Sequence, residues 1–401
     1  MAGWTIVQST VSVGRQPYAD AAPTGRGEPV PARVSTVNTP PPIDMPAPAP
    51  DLVAALRRVG TIFALGVLPI AALVTMFVVG WQGGPLSGDF HHELYPEAKL
   101  LLHGHNPFPA AEDEIGGANL IWPPVAAYLV SPLTLLPASV ADVVMVLIGL
   151  ACFALSLWLV GVRDWRIYGV VALWPQFVGE MRVSHLTPVI MLLVAAAWRW
   201  RDTRGAPGLL VGLAVAIKFF VWPVGLWLAA TRRLADAALA AAVAACSLLL
   251  LLPFTSLHEY ADALRRLGQV FDQDSYNVYG VLVQAGAPDA VARVAMLLVG
   301  AALLAATWRY RSLALALAAA FALSPIVWLD YFTLAALPLA LARPRLSAIW
   351  FLPLVTWGAE GAGIGIGDVR TDLRVLLVFC VVLAVAFRGE ARGAGDVRPA
   401  T

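Results

Sequence analysis

Beyond residue 50, apolar and polar positions fall in long blocks rather than in short periods. Continuous Leu/Ala/Val-rich stretches are separated by brief polar interruptions, and many approach the roughly 20 residues a helix needs to cross the hydrocarbon layer. The pattern predicts an all-α polytopic membrane protein. Its expected segments are Leu56–Gly80, Val125–Leu136, Ala138–Val162, Ile167–Val178, Leu186–Trp198, Gly208–Ala230, Leu234–Leu252, Val291–Thr307, Ser312–Ile326, Tyr331–Ala342, Leu346–Trp357 and Leu373–Arg388. Counting Gly208–Ala230 as one or as two, that is about 12 segments, with a range of 10–12, several too short to cross alone. A β-barrel does not fit, because the runs are continuous rather than alternating.

Basic residues orient the segments. Arg57 and Arg58 place the N-terminus in the cytoplasm, and Arg163, Arg166, Arg199, Arg201, Arg204, Arg309, Arg311, Arg343 and Arg345 mark further cytoplasmic turns. Lys218 interrupts Gly208–Ala230 near its middle. Two short helices meeting at Lys218 keep Arg232 and Arg233 inside, so a broken pair is expected there. Both termini are then cytoplasmic, and the polar interruptions lie on the extracytoplasmic side.

Composition agrees with this class. Of the 401 residues 59% are hydrophobic and 13% charged, against about 25% charged in soluble domains. The net charge of +1 favours no nucleic-acid partner. Cys152, Cys246 and Cys380 lie inside apolar runs without CxxC spacing and read as small core residues. Residues 1–50 form a Pro-rich polar tail without an apolar signal-peptide region, expected to be disordered and cytoplasmic. The membrane domain then covers 51–388, with a first extracytoplasmic loop and its juxtamembrane helices at 81–137 and a second loop at 253–290. Residues 389–401 form a cytoplasmic tail.

The first loop, Ser87–Pro124, holds four of the six histidines and a cluster of carboxylates. Asp89 precedes the amphipathic stretch Phe90–Leu102 and reads either as a helix N-cap or as a carboxylate base held at the membrane surface. The spacing of His91, His92, His103 and His105 matches no standard metal site, so no metal and no cofactor is expected. His103, His105 and Asn106 form a turn that is either solvated or binds sugar hydroxyls. Lys218 is either a snorkelling lysine or a point charge for a phosphate. Glu180, Arg182 and His185, in the polar hinge Gly179–His185, read as a solvated turn or as part of the site. Asp330, between Trp328 and Tyr331, carries the same two readings. Asp272, Asp274 and Asn277, interleaved with Tyr276 and Tyr279, suit either a sugar or an interfacial aromatic belt.

Several ordered elements carry a family resemblance. Gly88-Asp89 opens the first loop, followed by Leu101-Leu102-x-Gly104-x-Asn106-Pro107-Phe108, Trp122-Pro123-Pro124-x-Ala126 and Pro132-Leu133-x-Leu135-Leu136-Pro137. Further along come Gly212-Leu213-Ala214-x-Ala216-Ile217-Lys218 and Leu323-Ser324-Pro325-Ile326-x-Trp328. In this order the chain resembles glycosyltransferase family 87, the polyprenyl-phosphate-dependent mannosyltransferases of the GT-C superfamily. The resemblance covers about Gly88–Pro338. It implies a GT-C-like bundle in the plasma membrane, a polyprenyl-phosphate sugar donor, and a glycolipid or glycan acceptor. It also implies inverting transfer of a hexose, mannose in the family, with Asp89 as general base. Lys218 matches the family lysine and is the first candidate for the donor phosphate; the topology adds Arg182 and His185. His103, His105, Asn106, Asn277 and Asp330 are candidates for acceptor or sugar contacts. The chain departs from the family at Trp122, where Tyr or Phe is usual, at Ser184-His185-Leu186-Thr187, and at Ser275-Tyr276-Asn277, which leaves the acceptor open. The rival class is a polytopic lipid or sugar transporter or flippase, which also uses broken helices; no clear internal repeat supports it.

Overall fold

The computed structural model describes residues 52–83, 87–106, 122–271, 275–358 and 369–396. The Pro-rich segment Met1–Pro50, Pro107-Phe108, Asp272, Asp274 and nearly all of the Gly358–Arg370 turn lie outside these residues.

Among the described residues every regular element is helical. Helices α1 (Leu52–Ile62) and α2 (Leu68–Gly83) are joined by a π-helical turn at Phe63–Val67. A second π-turn, Phe90–Leu94, leads into α3 (Tyr95–Leu102). Pro123 and Pro124 start α4 (Pro124–Val130), as expected where proline occupies the first turn. Then follow α5 (Ala138–Leu159), α6 (Trp165–Ala172), α7 (Pro175–Val183), α8 (Thr187–Arg199), α9 (Ala206–Ile217) and α10 (Pro223–Ala230). The remainder comprises α11 (Leu234–Ser247), α12 (Leu257–Phe271), α13 (Val278–Gln284), α14 (Asp289–Tyr310), α15 (Leu313–Leu323), α16 (Ala336–Ala342) and α17 (Val369–Asp396). Shorter 3₁₀ turns occupy Leu329–Ala335 and Ala348–Thr356.

Among the described residues four helical stretches are long and apolar enough to cross a membrane: Leu52–Val78, Ala138–Leu159, Leu234–Leu251 and Asp289–Tyr310. The pair α7–α8, bent by 116° across a three-residue break, makes a fifth if taken as one span. Other apolar helices are shorter, Pro124–Leu135, Ala206–Ile217, Phe219–Ala230, Leu313–Leu323 and Leu329–Ala342. The predicted break at Lys218 is present: α9 stops at Ile217, and Lys218 is extended, with φ −154° and ψ 114°. Leu298 and Leu377 are more than 60% exposed, as suits helices that face lipid rather than one another.

Small residues let helices approach where no aqueous hydrophobic drive operates. Gly208 and Gly212, four apart on α9, lie against α11. A methyl on Gly208 would collide with the Asp236 carbonyl, and one on Gly212 would come within 2.7 Å of Val243 Cβ. Gly169 of α6 sits on the π-turn, where an added methyl would overlap the Leu65 carbonyl oxygen. Polar ties complete the frame. The Trp174 indole donates to the Trp350 carbonyl at 2.8 Å, and Gln176 donates to Thr356 Oγ1 at 2.7 Å. Asp164 caps α6, accepts from the Leu346 amide at 3.1 Å and pairs with Arg166, whose hydrogen bonds lower its carboxyl to about 2.

At several places the structure differs from the sequence-based expectations or adds local structure to them. The hinge at Gly179–His185 is mostly helix: α7 runs through Glu180 and Arg182 to Val183, and the chain turns at Ser184–Leu186. The second polar loop contains α12 and α13. The C-terminal tail begins as a continuation of α17 to Asp396. Cys152 is half-buried, but Cys246 and Cys380 are exposed on the bundle surface rather than in the core, because the apolar runs that carry them have outward faces.

Candidate functional site

The site begins where Ser87–Asp89 meets the turn between α7 and α8. Ser184 closes α7 in the left-handed conformation, φ 53°, with its amide bonded to the Glu180 carbonyl at 2.7 Å. This αL cap ends the helix and turns the chain, so that buried His185 projects from the break. Gly88 packs against the Arg182 carbonyl, at 3.8 Å from where a methyl would lie. Asp89 stands at the N-cap of the π-turn but makes no side-chain cap bond. Its Oδ2 instead meets His185 Nε2, so its carboxylate is not a cap.

The other ring nitrogen, His185 Nδ1, lies 2.9 Å from Asp330 Oδ2. An imidazole gripped at both ends by carboxylate oxygens has a fixed ring plane. His185 and Asp330 are 6% and 8% exposed, whereas Asp89 is 35% exposed, so the chain of contacts runs from the interior to an open carboxylate. Asp330 is held by a segment distant in sequence, whose 3₁₀ turn packs against α7. After α15 the chain extends through Ser324–Trp328, where Val327 accepts from the Tyr276 amide at 2.9 Å and donates to Ser275 Oγ at 2.8 Å. Asn277 caps α13 through Gly280 and donates from Nδ2 to the Ser324 carbonyl at 2.7 Å. These bonds set where the 3₁₀ turn carrying Asp330 begins.

Lys218 enters from the break between α9 and α10. Its Nζ lies 4.1 Å from the Trp122 ring centre and 3.9 Å from that of Tyr331, a cation between two aromatic faces. The nitrogen is buried and has no hydrogen-bond partner. It faces the charges of Asp330, Glu180, Asp89 and Glu93. Glu180 is fully buried and faces Asp330 and Thr187 without meeting either in hydrogen-bond geometry. Glu93, outside the spanning helices, is half-buried beside Asp89, His185, Lys218 and the Trp122 indole. Burial and the Asp89 charge raise its carboxyl to about 7, against the opposing pull of His185, Trp122 and Lys218. Phe220 stacks on Tyr331, with ring centres 4.8 Å apart, and Trp122 lies 5.4 Å from the His185 ring.

Glu180, His185 and Asp330 bring one potential ligand atom each within 4.8 Å of one another. Carboxylates engage both nitrogens of His185, and the Lys218 ammonium faces the same two carboxylates. Within the trio only His185 and Asp330 are hydrogen-bonded to each other; both oxygens of Glu180 are without a hydrogen-bond partner.

The profile of glycosyltransferase family 87 matches residues 120–329, just over half of the chain. The chain belongs to glycosyltransferase family 87. Among curated proteins and solved structures no relative matches it. The matched part of this family 87 chain contains Trp122, Glu180, His185, Lys218 and Asn277; Asp89, Glu93 and Asp330 fall outside it. The glycosyltransferase assignment and the apolar helices together make the chain a membrane enzyme.

Of the residues predicted from sequence, the family 87 fold brings Asp89, His185, Lys218, Glu180 and Asp330 together. Arg182, two residues beyond Glu180 on α7, is exposed. His103, His105 and Asn106 lie exposed beyond α3, where His103 Nδ1 returns to the Lys99 carbonyl at 2.7 Å. Asn277 is a buried brace, and Tyr279 is engaged by Asp289 at 2.6 Å. His91 ties the first loop to α5 through Asp142 at 2.8 Å. Glu93, Trp122 and Tyr331 were missed as site residues. For Glu93 a signal was present: it lies four residues after Asp89 in a helical stretch, and so on the same face.

Proposed function

We propose that this enzyme transfers a hexose, mannose in the first instance, from a polyprenyl phosphate to a hydroxyl of a glycolipid or glycan, with inversion. Asp89 takes the acceptor proton as the acceptor oxygen attacks the anomeric carbon. The bond from that carbon to the phosphate oxygen breaks, and its electron pair leaves with the polyprenyl phosphate. The leaving phosphate gains a negative charge in this step, and Lys218 offers its ammonium to it. The distribution of arginines favours a site on the extracytoplasmic face of the plasma membrane, with both termini in the cytoplasm.

The observation that carries this reading is the Asp89–His185–Asp330 chain beside a buried ammonium that lacks a hydrogen-bond partner. A buried polar group without a partner costs about 1–3 kcal/mol, and a phosphate oxygen would supply the missing one. The cluster ends in an open carboxylate suited to proton abstraction, which favours an enzyme over a transporter.

The test uses purified protein in liposomes with radiolabelled polyprenyl-phosphate mannose and a mixed glycolipid extract. Wild type is expected to transfer label; Asp89→Asn is expected to bind donor but to lose transfer by at least about 10²-fold. Lys218→Ala is expected to weaken donor binding. Transfer that survives Asp89→Asn would remove the assigned base. Labelled lipid crossing the bilayer without transfer would favour the flippase.

A further inference from the structure

The reaction above engages Asp89, His185, Asp330 and Lys218 but gives no task to Glu93. This carboxyl follows Asp89 by four residues, across the π-turn that opens with Phe90. It is half-buried and turned toward Asp89, His185, Lys218 and Trp122. Phe90 and Leu94, on the other side of the same turn, are buried in the core, which fixes the turn and with it the direction of both carboxyls. His185 is already held by Asp89 and Asp330, whereas Lys218, between two rings and without a hydrogen-bond partner, faces Glu93 together with three other carboxylates. Two carboxyls side by side at the open end of the cluster match neighbouring hydroxyls on a sugar ring.

We propose that Glu93 binds the acceptor: it holds the hydroxyl adjacent to the one that Asp89 deprotonates, so that the acceptor class is a sugar with a vicinal diol. The assignment rests on the glycosyltransferase reading given above. The neutral carboxyl both donates and accepts, as a diol requires, whereas the carboxylate only accepts. Burial favours the neutral form up to about pH 7. The charged groups facing it are Asp89, which favours that form, and His185 and Lys218, which oppose it.

The test measures transfer from labelled polyprenyl-phosphate mannose against increasing glycolipid extract, in wild type, Glu93→Gln and Glu93→Ala, from pH 6 to 8. Glu93→Ala is expected to raise the half-saturating extract concentration about tenfold or more, the size of one lost hydrogen bond to a sugar hydroxyl in a buried site, while the donor KM stays unchanged. Glu93→Gln, which keeps a neutral donor and acceptor, is expected to recover most of the loss. The acceptor constant of wild type is expected to rise through pH 7, and that of Glu93→Gln to stay flat. Equal changes in donor and acceptor constants, or a Gln variant as impaired as Ala, would make Glu93 a structural brace and overturn the proposal. Absence of transfer by wild type would instead overturn the underlying glycosyltransferase reading.

Discussion

Asp330 is buried, and it bears on the open carboxylate of Asp89 through His185. Its carboxylate holds one nitrogen of His185, and the other nitrogen faces Asp89. Asp330→Asn keeps the shape and removes the charge, so the imidazole loses the charged partner at Nδ1 while Asp89 still meets Nε2. The expected result is a fall in kcat of about 10²-fold or more, with donor binding intact and a displaced pH–rate profile. A variant that loses donor binding and rate together would mark Asp330 as structural. At this scale Asp89 and Lys218 were legible because each breaks a pattern: a carboxylate opens a polar loop, and an ammonium interrupts an apolar run. The aromatic walls were not legible, since Trp122 and Tyr331 look like interfacial residues until the lysine is seen between them.

Helix contacts are governed by positions with no side chain to spare. Gly169→Val would drive methyl groups into the Leu65 carbonyl at the π-turn, where no flexible side chain can yield. Overpacking of this kind costs about 1–3 kcal/mol, and thermal unfolding in detergent should show a lower Tm; an unchanged Tm would mean that α6 and the first span slide freely. Glu390, past the apolar part of α17, accepts from the Ala314 amide at 3.2 Å and so caps α15. Burial raises its carboxyl from 4.5 to about 7 despite those amide bonds. A carboxyl with a raised folded pKa lends stability that is full below its unfolded value and fades as pH rises through 7. The Tm of wild type should therefore fall between pH 5 and 8 by a few degrees more than that of Glu390→Gln; parallel curves would show that Glu390 does not titrate there. Element ends were legible at prolines such as Pro124 and Pro223. The hinge was misplaced because Glu180 and Arg182, polar on a short helix, read as loop. Helices α12 and α13 were hidden by the polar composition of the second loop.

For the molecule as a whole, the membrane class was plain from uninterrupted apolar runs, which few other structures satisfy. The number of crossings was not, because length decides crossing, and many of these helices are too short to be counted by length. The proposed orientation has a direct check. His103 is exposed past α3, and Arg201 is exposed past α8. With the native cysteines replaced, His103→Cys in intact cells should react with a membrane-impermeant maleimide, and Arg201→Cys only after lysis. The reverse pattern would invert the topology and move the site to the cytoplasmic face.

The short bonds between Ser275–Asn277 and Ser324–Val327 bear on protein engineering. They join the segment before α13 to the one before Asp330, although some fifty residues separate them in sequence. A chimaera that exchanges the second polar region between family members, in order to redirect acceptor choice, would carry a new partner for Val327 into the frame of the reaction centre. The two segments are one cassette, and a graft that moves only the first should be inactive toward both parental acceptors.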